Sequence, residues 1–467
     1  MFGLEPGLLI LLILCLVAAC GFEFVNGFHD TANAVATVIY TNALKPNVAV
    51  VWAGFCNFVG VFSGGIAVAM GIVYLLPVEL LIDQDIYHSV AMVLALLLSA
   101  IIWNLGTWYL GLPSSSSHTL IGSILGVGLA FSFMPESTGA AVNWNEATKI
   151  GLSLIVSPLF GFGFTILLMF LLRRFTNSET LFREPLPNQP PPPWIRGVLI
   201  ATCTGVSFFH GSNDGQKGVG LVMLILIGII PSYFALNAEK NPSTMQTSLS
   251  NIERALAGVD ASQLTAPNRP VLQSVKNEVA DLQQMLALEK GNGTEAVRRD
   301  RLSIRKDILL IANGTNKILA DQSVNLPAAR VASLKGGVGA LKEYTDYAPT
   351  WVLLMISVSL GLGTMVGWKR IVKTVGEKIG KQHLTYAQGA SAELVAASTI
   401  GVASGLGLPV STTHVLSSGI AGSMVANKGL GNLQPQTVRS IALAWVLTLP
   451  VSILLSGSLY VFFRWLF

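Results

Sequence analysis

What most limits the fold of this chain is a series of apolar runs almost free of charge, several of them long enough to cross a bilayer. They lie near 7–26, 47–76, 87–112, 118–133, 147–172, 197–210, 218–236, 348–368, 385–408, 415–427 and 437–466. A hydrocarbon core about 30 Å thick takes about 20 helical residues to span. Only helices and closed barrels satisfy their backbone groups in lipid, and these runs lack the alternation of a barrel strand. The expected fold is an all-α polytopic membrane protein. Charged residues make up 12% of the 467, against about 25% in an average soluble chain. Nearly half of them crowd between Asn237 and Thr345. The net charge of +4, with no dense basic block, gives no reason to expect a nucleic-acid partner. Cys15, Cys20, Cys56 and Cys203 all lie in apolar runs, which reads as packing rather than a disulfide or zinc pattern. Val17-Ala18-Ala19-Cys20 looks like a lipoprotein cleavage box. Met1 to Pro6 holds no basic residue, however, and the run continues past Cys20, so it reads as a first span.

The chain is duplicated. Gly27-Phe28-His29-Asp30-Thr31-Ala32-Asn33-Ala34 pairs with Gly211-Ser212-Asn213-Asp214-Gly215-Gln216-Lys217-Gly218 at an offset of 184 residues. Gly111-Leu112-Pro113-Ser114-Ser115-Ser116-Ser117-His118 pairs with Gly407-Leu408-Pro409-Val410-Ser411-Thr412-Thr413-His414 at an offset of 296. The polar insert accounts for nearly all of the difference between the two offsets. Basic residues suggest the orientation. Lys369, Arg370, Lys373, Lys378 and Lys381 crowd one loop, whereas the equivalent loop around Glu79, Asp83 and Asp85 has neither Lys nor Arg. Cytoplasmic loops collect Lys and Arg, so the repeats are expected to have inverted topology, with both termini and the insert outside. The expected division is a first membrane repeat over 1–175, a Pro-rich cytoplasmic linker over 176–196, and a second repeat over 197–236 and 347–467. A small extracytoplasmic helical insert over 237–346 interrupts that second repeat. Pro185 to Pro193 should be extended. In the insert, Leu272, Val275, Val279, Leu282 and Leu286 form a helical stripe, while Asn292-Gly293 and Asn313-Gly314 read as turns. The sequons that begin at those two asparagines read as coincidence.

Two buried-carboxylate positions carry the chemistry. A carboxylate at membrane depth costs about 3 kcal/mol or more and is usually functional. Asp30 and its repeat mate Asp214 each follow a glycine by three residues among small neighbours, a composition expected to break the helix and free backbone carbonyls. With Asn33 and Asn213 they suit a hard-oxygen cation site, with Asp30 and Asp214 as the candidate metal ligands. A simple helix-capping role is the plainer reading of each Asp alone. Pro113 and Pro409 precede Ser115, Ser116, Ser117 and Ser411, Thr412, Thr413, a pattern that starts a helix. Free amides, the helix dipole and hydroxyl donors at two such starts suit an oxyanion. The plainer reading is caps and small packing residues. His29, His118, His210 and His414 fall in the same motifs, as proton carriers or as bonded core histidines. Glu23 and Glu393 also lie at membrane depth, Glu393 with a possible place near a helix end.

At these motifs the chain resembles the inorganic phosphate transporter (PiT) family. Gly27 to Ala34 is similar to its repeated Gly-Ala-Asn-Asp-Val-Ala-Asn-Ala signature, and Pro409 to His414 to its second hallmark. With His29, His210 and Lys217, the version here looks closest to the bacterial low-affinity carriers. That resemblance implies phosphate moving as a neutral complex with a divalent metal such as Mg2+, by proton symport, in a homodimer in the bacterial inner membrane. No other cofactor is expected. Sodium-coupled relatives carry Asn three residues after each Asp. Asn33 keeps that position, but Lys217 takes it in the second repeat. Either the ammonium acts as a tethered cation beside Asp214, or Lys217 snorkels to a membrane surface. Sodium-coupled phosphate symport and transport of sulfate or another tetrahedral oxyanion are the alternatives. An intramembrane hydrolase using Ser117 with His118 is disfavoured, because adjacent helical residues point apart. No Gly-x-x-x-x-Gly-Lys-Ser/Thr loop is present to suggest an ATP-driven pump.

Overall fold

The computed structural model describes residues 4–75, 86–135, 137, 142–186, 189–289 and 294–466. Its longer helices are α1 (Pro6–Tyr40), α2 (Pro46–Ser63), α3 (Ile86–Tyr109), α4 (Ser116–Ser132), α5 (Trp144–Phe175), α6 (Pro193–His210), α7 (Gln216–Ile229), α8 (Pro242–Ala257), α9 (Asn268–Glu289), α10 (Thr294–Ala320), α11 (Ala328–Thr345), α12 (Thr350–Thr364), α13 (Tyr386–Gly405), α14 (Thr412–Lys428) and α15 (Pro435–Leu466). No strand occurs among the described residues. Among the described residues, five helices are long and apolar enough to cross a membrane: Pro6–Tyr40, Pro46–Ser63, Ile86–Tyr109, Ala147–Phe175 and Pro435–Leu466. The chain is therefore a multi-pass helical membrane protein.

Contacts divide it into two compact units, Glu5–Ile225 with Ala348–Phe467, and Met1–Leu4 with Leu226–Tyr347. In the larger unit, α5 packs on α14, α15 on α4 and α3, and α1 on α12 and α3. Proline opens α1, α2 and α6 at the first helical positions, where its missing N–H would have no intrahelical partner anyway. A capping box at Thr385 and Gln388 opens α13. At 17 residues, α4 and α14 are short for a full crossing. The segment 176–186 is turn and coil, and α6 begins at Pro193.

The expected helix break at the first Gly-x-x-Asp motif is absent. α1 runs unbroken for 35 residues through Gly27 and Asp30. At the second motif the chain makes one π-helical turn, Gly211–Gly215, rather than opening. The glycines serve close packing instead. A Cβ on Gly27 would stand 2.4 Å from the Leu360 carbonyl oxygen, and one on Gly211 would stand 2.2 Å from that of Asn57. They let α1 lie directly on α12, and the π turn directly on α2. The acidic loop of Glu79, Asp83 and Asp85 lies outside the described residues, as does the Asn292-Gly293 turn.

The smaller unit is built largely from α8 to α11. Its core includes the expected stripe, Leu272, Val275, Val279, Leu282 and Leu286, packed with Leu249, Ile252, Ile304, Ile308, Ile311 and Leu341. Asn313-Gly314 is not a turn but part of α10. A Cβ at Gly314 would stand 2.2 Å from the Val275 side chain, so this glycine marks where α10 crosses α9. Within this unit, burial together with Glu278 and Asp281 pushes the Asp307 carboxyl up to about 7, against a smaller opposing pull from Lys306. A folded-state value above the ordinary 3.8 means that Asp307 supplies stability below the ordinary value, which is lost as pH rises through about 7. Asp307→Asn should therefore flatten the pH dependence of this unit between about pH 4 and 7. Amide exchange of α10 in the full chain should be slower in the variant than in the parent at mildly alkaline pH, and equal rates would refute the assignment.

Candidate functional site

The two hydroxyl motifs and the two Asp motifs converge in the larger unit. α4 begins at Ser116 with Ser115 as its cap, which accepts from the His118 amide at 3.1 Å. α14 begins at Thr412 with Ser411 as its cap, which accepts from the His414 amide at 3.1 Å. The glycines that turn the chain before them, Gly111 and Gly407, hold φ of +67° and +69°, a left-handed backbone that favours glycine. The duplicated sequence thus gives two copies of one local structure.

Asp30 and Asp214 meet across these helix starts. The Ser116 hydroxyl lies 2.9 Å from Asp30 Oδ2 and 3.3 Å from Asp214 Oδ2, so one proton serves two carboxylates. Thr413 donates to Asp30 Oδ1 at 2.7 Å and accepts from Asn33 Nδ2 at 2.9 Å. His29 Nδ1 lies 3.0 Å from the same Asp30 oxygen, while its Nε2 sits 3.3 Å from both Thr107 and Ser114. Lys217 donates to Asp214 Oδ1 at 2.7 Å, to the Val410 carbonyl at 3.2 Å, and to the Ser117 hydroxyl. It is 1% exposed, so the snorkelling reading of Lys217 does not hold. Its ammonium is fixed against Asp214.

His210 completes the cluster. Thr364 donates its hydroxyl proton to the Leu360 carbonyl at 2.8 Å and accepts from Asn57 Nδ2 at 3.0 Å. That turns the Asn57 oxygen to His210 Nδ1 at 2.9 Å. Nδ1 must then carry the proton, which leaves Nε2 in a neutral ring as an acceptor. Nε2 has no hydrogen-bond partner and faces Asp30 Oδ2 at 3.7 Å and Asp214 Oδ2 at 3.6 Å. Three acceptors aimed at one another repel unless a positive charge joins them. A proton on Nε2 would serve, and so would a metal ion, since one ligand atom from each of Asp30, His210 and Asp214 lies within 4.8 Å of the others. This donor set has the atoms to hold a metal ion.

Other expected residues fall elsewhere. The Asn213 amide is spent on the turn before α14, bonding Ser404, the Leu408 carbonyl and the Val410 amide. Five of the six motif hydroxyls are engaged: Ser115 and Ser411 as caps, Ser116 and Thr413 on the carboxylates, and Ser117 on the Val410 carbonyl at 2.8 Å. The Thr412 hydroxyl is buried without a partner, as is the Asn33 amide oxygen. The His118 and His414 rings pair at 4.4 Å, and Trp445 stacks on His414 at 3.9 Å. His118 Nδ1 is bound to Ser115, so it forms no base–nucleophile pair with Ser117. Glu23 is fully buried, accepts from Asn26 at 3.2 Å, and packs against Gly218. Glu393 lies within α13 rather than near its end and accepts from Thr202 at 2.6 Å. Sequence reasoning missed Asn57, Thr364 and Thr107. Their one signal is a lone polar side chain in an apolar run.

A family profile described as the phosphate transporter family matches residues 26–456. The chain belongs to the phosphate transporter family. It is 44% identical to the low-affinity inorganic phosphate transporter PitA of Escherichia coli, over 98% of this chain and 97% of that one. It is 29% identical to a probable low-affinity inorganic phosphate transporter of Bacillus subtilis, over 98% of this chain and 99% of that one. A solved structure described as the sodium-dependent phosphate transporter superposes with a TM-score of 0.55 at 20% identity, covering 98% of this chain and 100% of that one. Its likeness concerns the fold. These relatives carry transporter names, and the family is non-enzymatic in function.

The Lys217–Asp214 pair gives a direct test of the site. Removing one member of a buried ion pair costs about 3–5 kcal/mol, whereas removing both leaves no buried charge unpaired. Asp214→Asn should therefore lower the melting temperature of the detergent-purified protein sharply, and adding Lys217→Met should restore most of the loss. A double variant no more stable than Asp214→Asn would mean that the two charges do not pair.

Proposed function

We propose that this chain imports inorganic phosphate as a neutral divalent metal–phosphate complex by proton symport. The observation that carries this reading is the cage of Asp30, Asp214 and His210 Nε2, three buried acceptors needing a cation, beside two helix starts rich in hydroxyls. A cation there would neutralise the carboxylates that now hold the Ser116 and Thr413 protons. Those hydroxyls, with Thr412 and the first-turn amides of α4 and α14, would then be free to donate to phosphate. Cation and anion binding become one event, which suits a neutral cargo in a low-dielectric site. His29 would carry the proton, because its ring joins Asp30 to the hydroxyls of Thr107 and Ser114.

Lys217 favours protons over sodium. It stands where sodium-coupled relatives carry Asn, and its ammonium already neutralises Asp214. The remaining parts of the reading come from the repeated motifs and loop charges and, for the homodimer and the bacterial inner membrane, from the family resemblance. They are two inverted repeats split by a cytoplasmic linker at 176–196, both termini and the 237–346 unit outside, and a homodimer in the bacterial inner membrane. Sulfate is the second substrate reading, since hydroxyls and amides donate to any tetrahedral oxyanion. Phosphate retains a proton that a carboxylate can accept, and Asp30 is within the cluster to accept it.

Radiolabelled phosphate uptake into proteoliposomes separates these options. Uptake should need both an imposed proton gradient and a divalent metal, and should ignore sodium and excess sulfate. Lys217→Asn should introduce sodium dependence or shift the pH profile. If it changes neither, the tethered-cation role is wrong. Sulfate uptake without phosphate uptake would transfer the site to the other anion.

A further inference from the structure

A cleft of about 560 Å3 opens beside the Gly111 turn, and the transport reading leaves it unused. Its walls come from Tyr109 to Leu112, from the basic segment with Arg370, Lys373 and Lys378, and from the first turns of α15 with Thr437 and Ser440. Three cations line it, and no acid does. Glu377, the single acid between 369 and 381, is engaged with the Tyr40 hydroxyl. The start of α15 adds the positive end of a 32-residue helix.

The cationic wall is held in place. Arg370 donates to the Tyr109 carbonyl at 2.7 Å and lies over the rings of Trp108 and Tyr109 at 5.0 and 4.8 Å. Thr374 donates to the Gly111 carbonyl at 2.8 Å. Lys373 and Lys378 are exposed, with flexible stems and strongly hydrated heads. Side chains that face outward and want an apolar medium stand in the cleft wall and farther along α15. Leu110 is 70% exposed, and Val446 on α15 is 71% exposed. A phosphate-bearing anion suits the cleft, and a lipid supplies both the phosphate for its floor and the chains for its rim. Basic clefts between spans are where anionic headgroups bind.

We infer that this cleft binds the phosphate headgroup of an anionic phospholipid, whose acyl chains lie along the exposed faces of α3 and α15. The bound lipid then props the turn that leads into the Ser114–Ser117 segment, because Arg370 and Thr374 in the cleft wall also hold the Tyr109 and Gly111 carbonyls. The inference rests on the chain being a membrane protein and is independent of its cargo.

The test uses the full chain purified in detergent, with phosphatidylglycerol, phosphatidylcholine or inorganic phosphate added, read by native mass spectrometry and melting temperature. Phosphatidylglycerol should be retained and should raise the melting temperature, with phosphatidylcholine retained far less. The double variant Lys373→Gln/Lys378→Gln, whose exposed side chains leave the fold intact, should bind phosphatidylglycerol about tenfold more weakly or worse. Its melting temperature without lipid should match the parent. Should that match fail, Ser440→Glu, which puts a negative charge in the cleft, should weaken retention in the same way. Equal retention of the two lipids, or of phosphatidylglycerol by parent and variants, would overturn the inference. So would displacement of phosphatidylglycerol by inorganic phosphate at millimolar concentration, which would assign the cleft to the free anion.

Discussion

Two carboxylates buried within reach of one serine proton set the terms for the rest of this molecule. An isolated buried carboxylate is far too costly to keep charged, and two side by side are worse. Neighbouring helices are recruited to meet that demand. α7 supplies Lys217, α4 supplies Ser116, and α14 supplies Thr413. Each donor comes from a different element, so the cluster exists only when the helices are assembled. The short α4 and α14 make sense in this light, because their starts deliver hydroxyls and first-turn amides to the interior. The acceptor side remains incomplete. Lys217 neutralises one carboxylate, and the other shares its oxygens among neutral donors, with His210 Nε2 facing both.

The halves of the duplication have diverged around the site. Where the first repeat carries His29, Thr107 and Ser114, the offsets lead to Asn213, Ala403 and Val410 in the second. The first set is a string of groups that can pass a proton. The second is an amide locked to backbone, a methyl group and an isopropyl group. Conversely, the second repeat brings Lys217 where the first keeps Asn33. One half therefore keeps a string of hydrogen-bonding groups beside its carboxylate and the other a fixed charge, although the two segments match in sequence.

Much of this was legible in the sequence because it occurs twice. Asp30 with Asp214, and Ser115 to Ser117 with Ser411 to Thr413, stand out as matched polar words in apolar text, and all lie in one neighbourhood. Membrane helices were legible because lipid leaves the backbone so few choices. Glycine was the weak point. Gly27 and Gly314 read as breaks or turns, yet each lies inside a helix where another chain segment comes too close for a Cβ. Nothing local separates those uses, since the cause is a partner hundreds or tens of residues away. The same holds for Asn57 and Thr364, single polar residues whose meaning comes from an imidazole on another helix. Lys217 was undecided for a related reason, because the length of its side chain reaches either a surface or a carboxylate.

Thr364 has a consequence of its own. Its hydroxyl orients Asn57 on α2, and Asn57 in turn sets the His210 ring, while its carbonyl accepts from Thr31 on α1 at 2.9 Å. One residue at the end of α12 thus touches both the helix that bears Asp30 and the chain of bonds that aims the imidazole at it. Sliding α12 along α1 would pull both strings together. The placement of α1 and the orientation of the ring would then be a single mechanical coordinate, like a latch and bolt cut from one piece of metal.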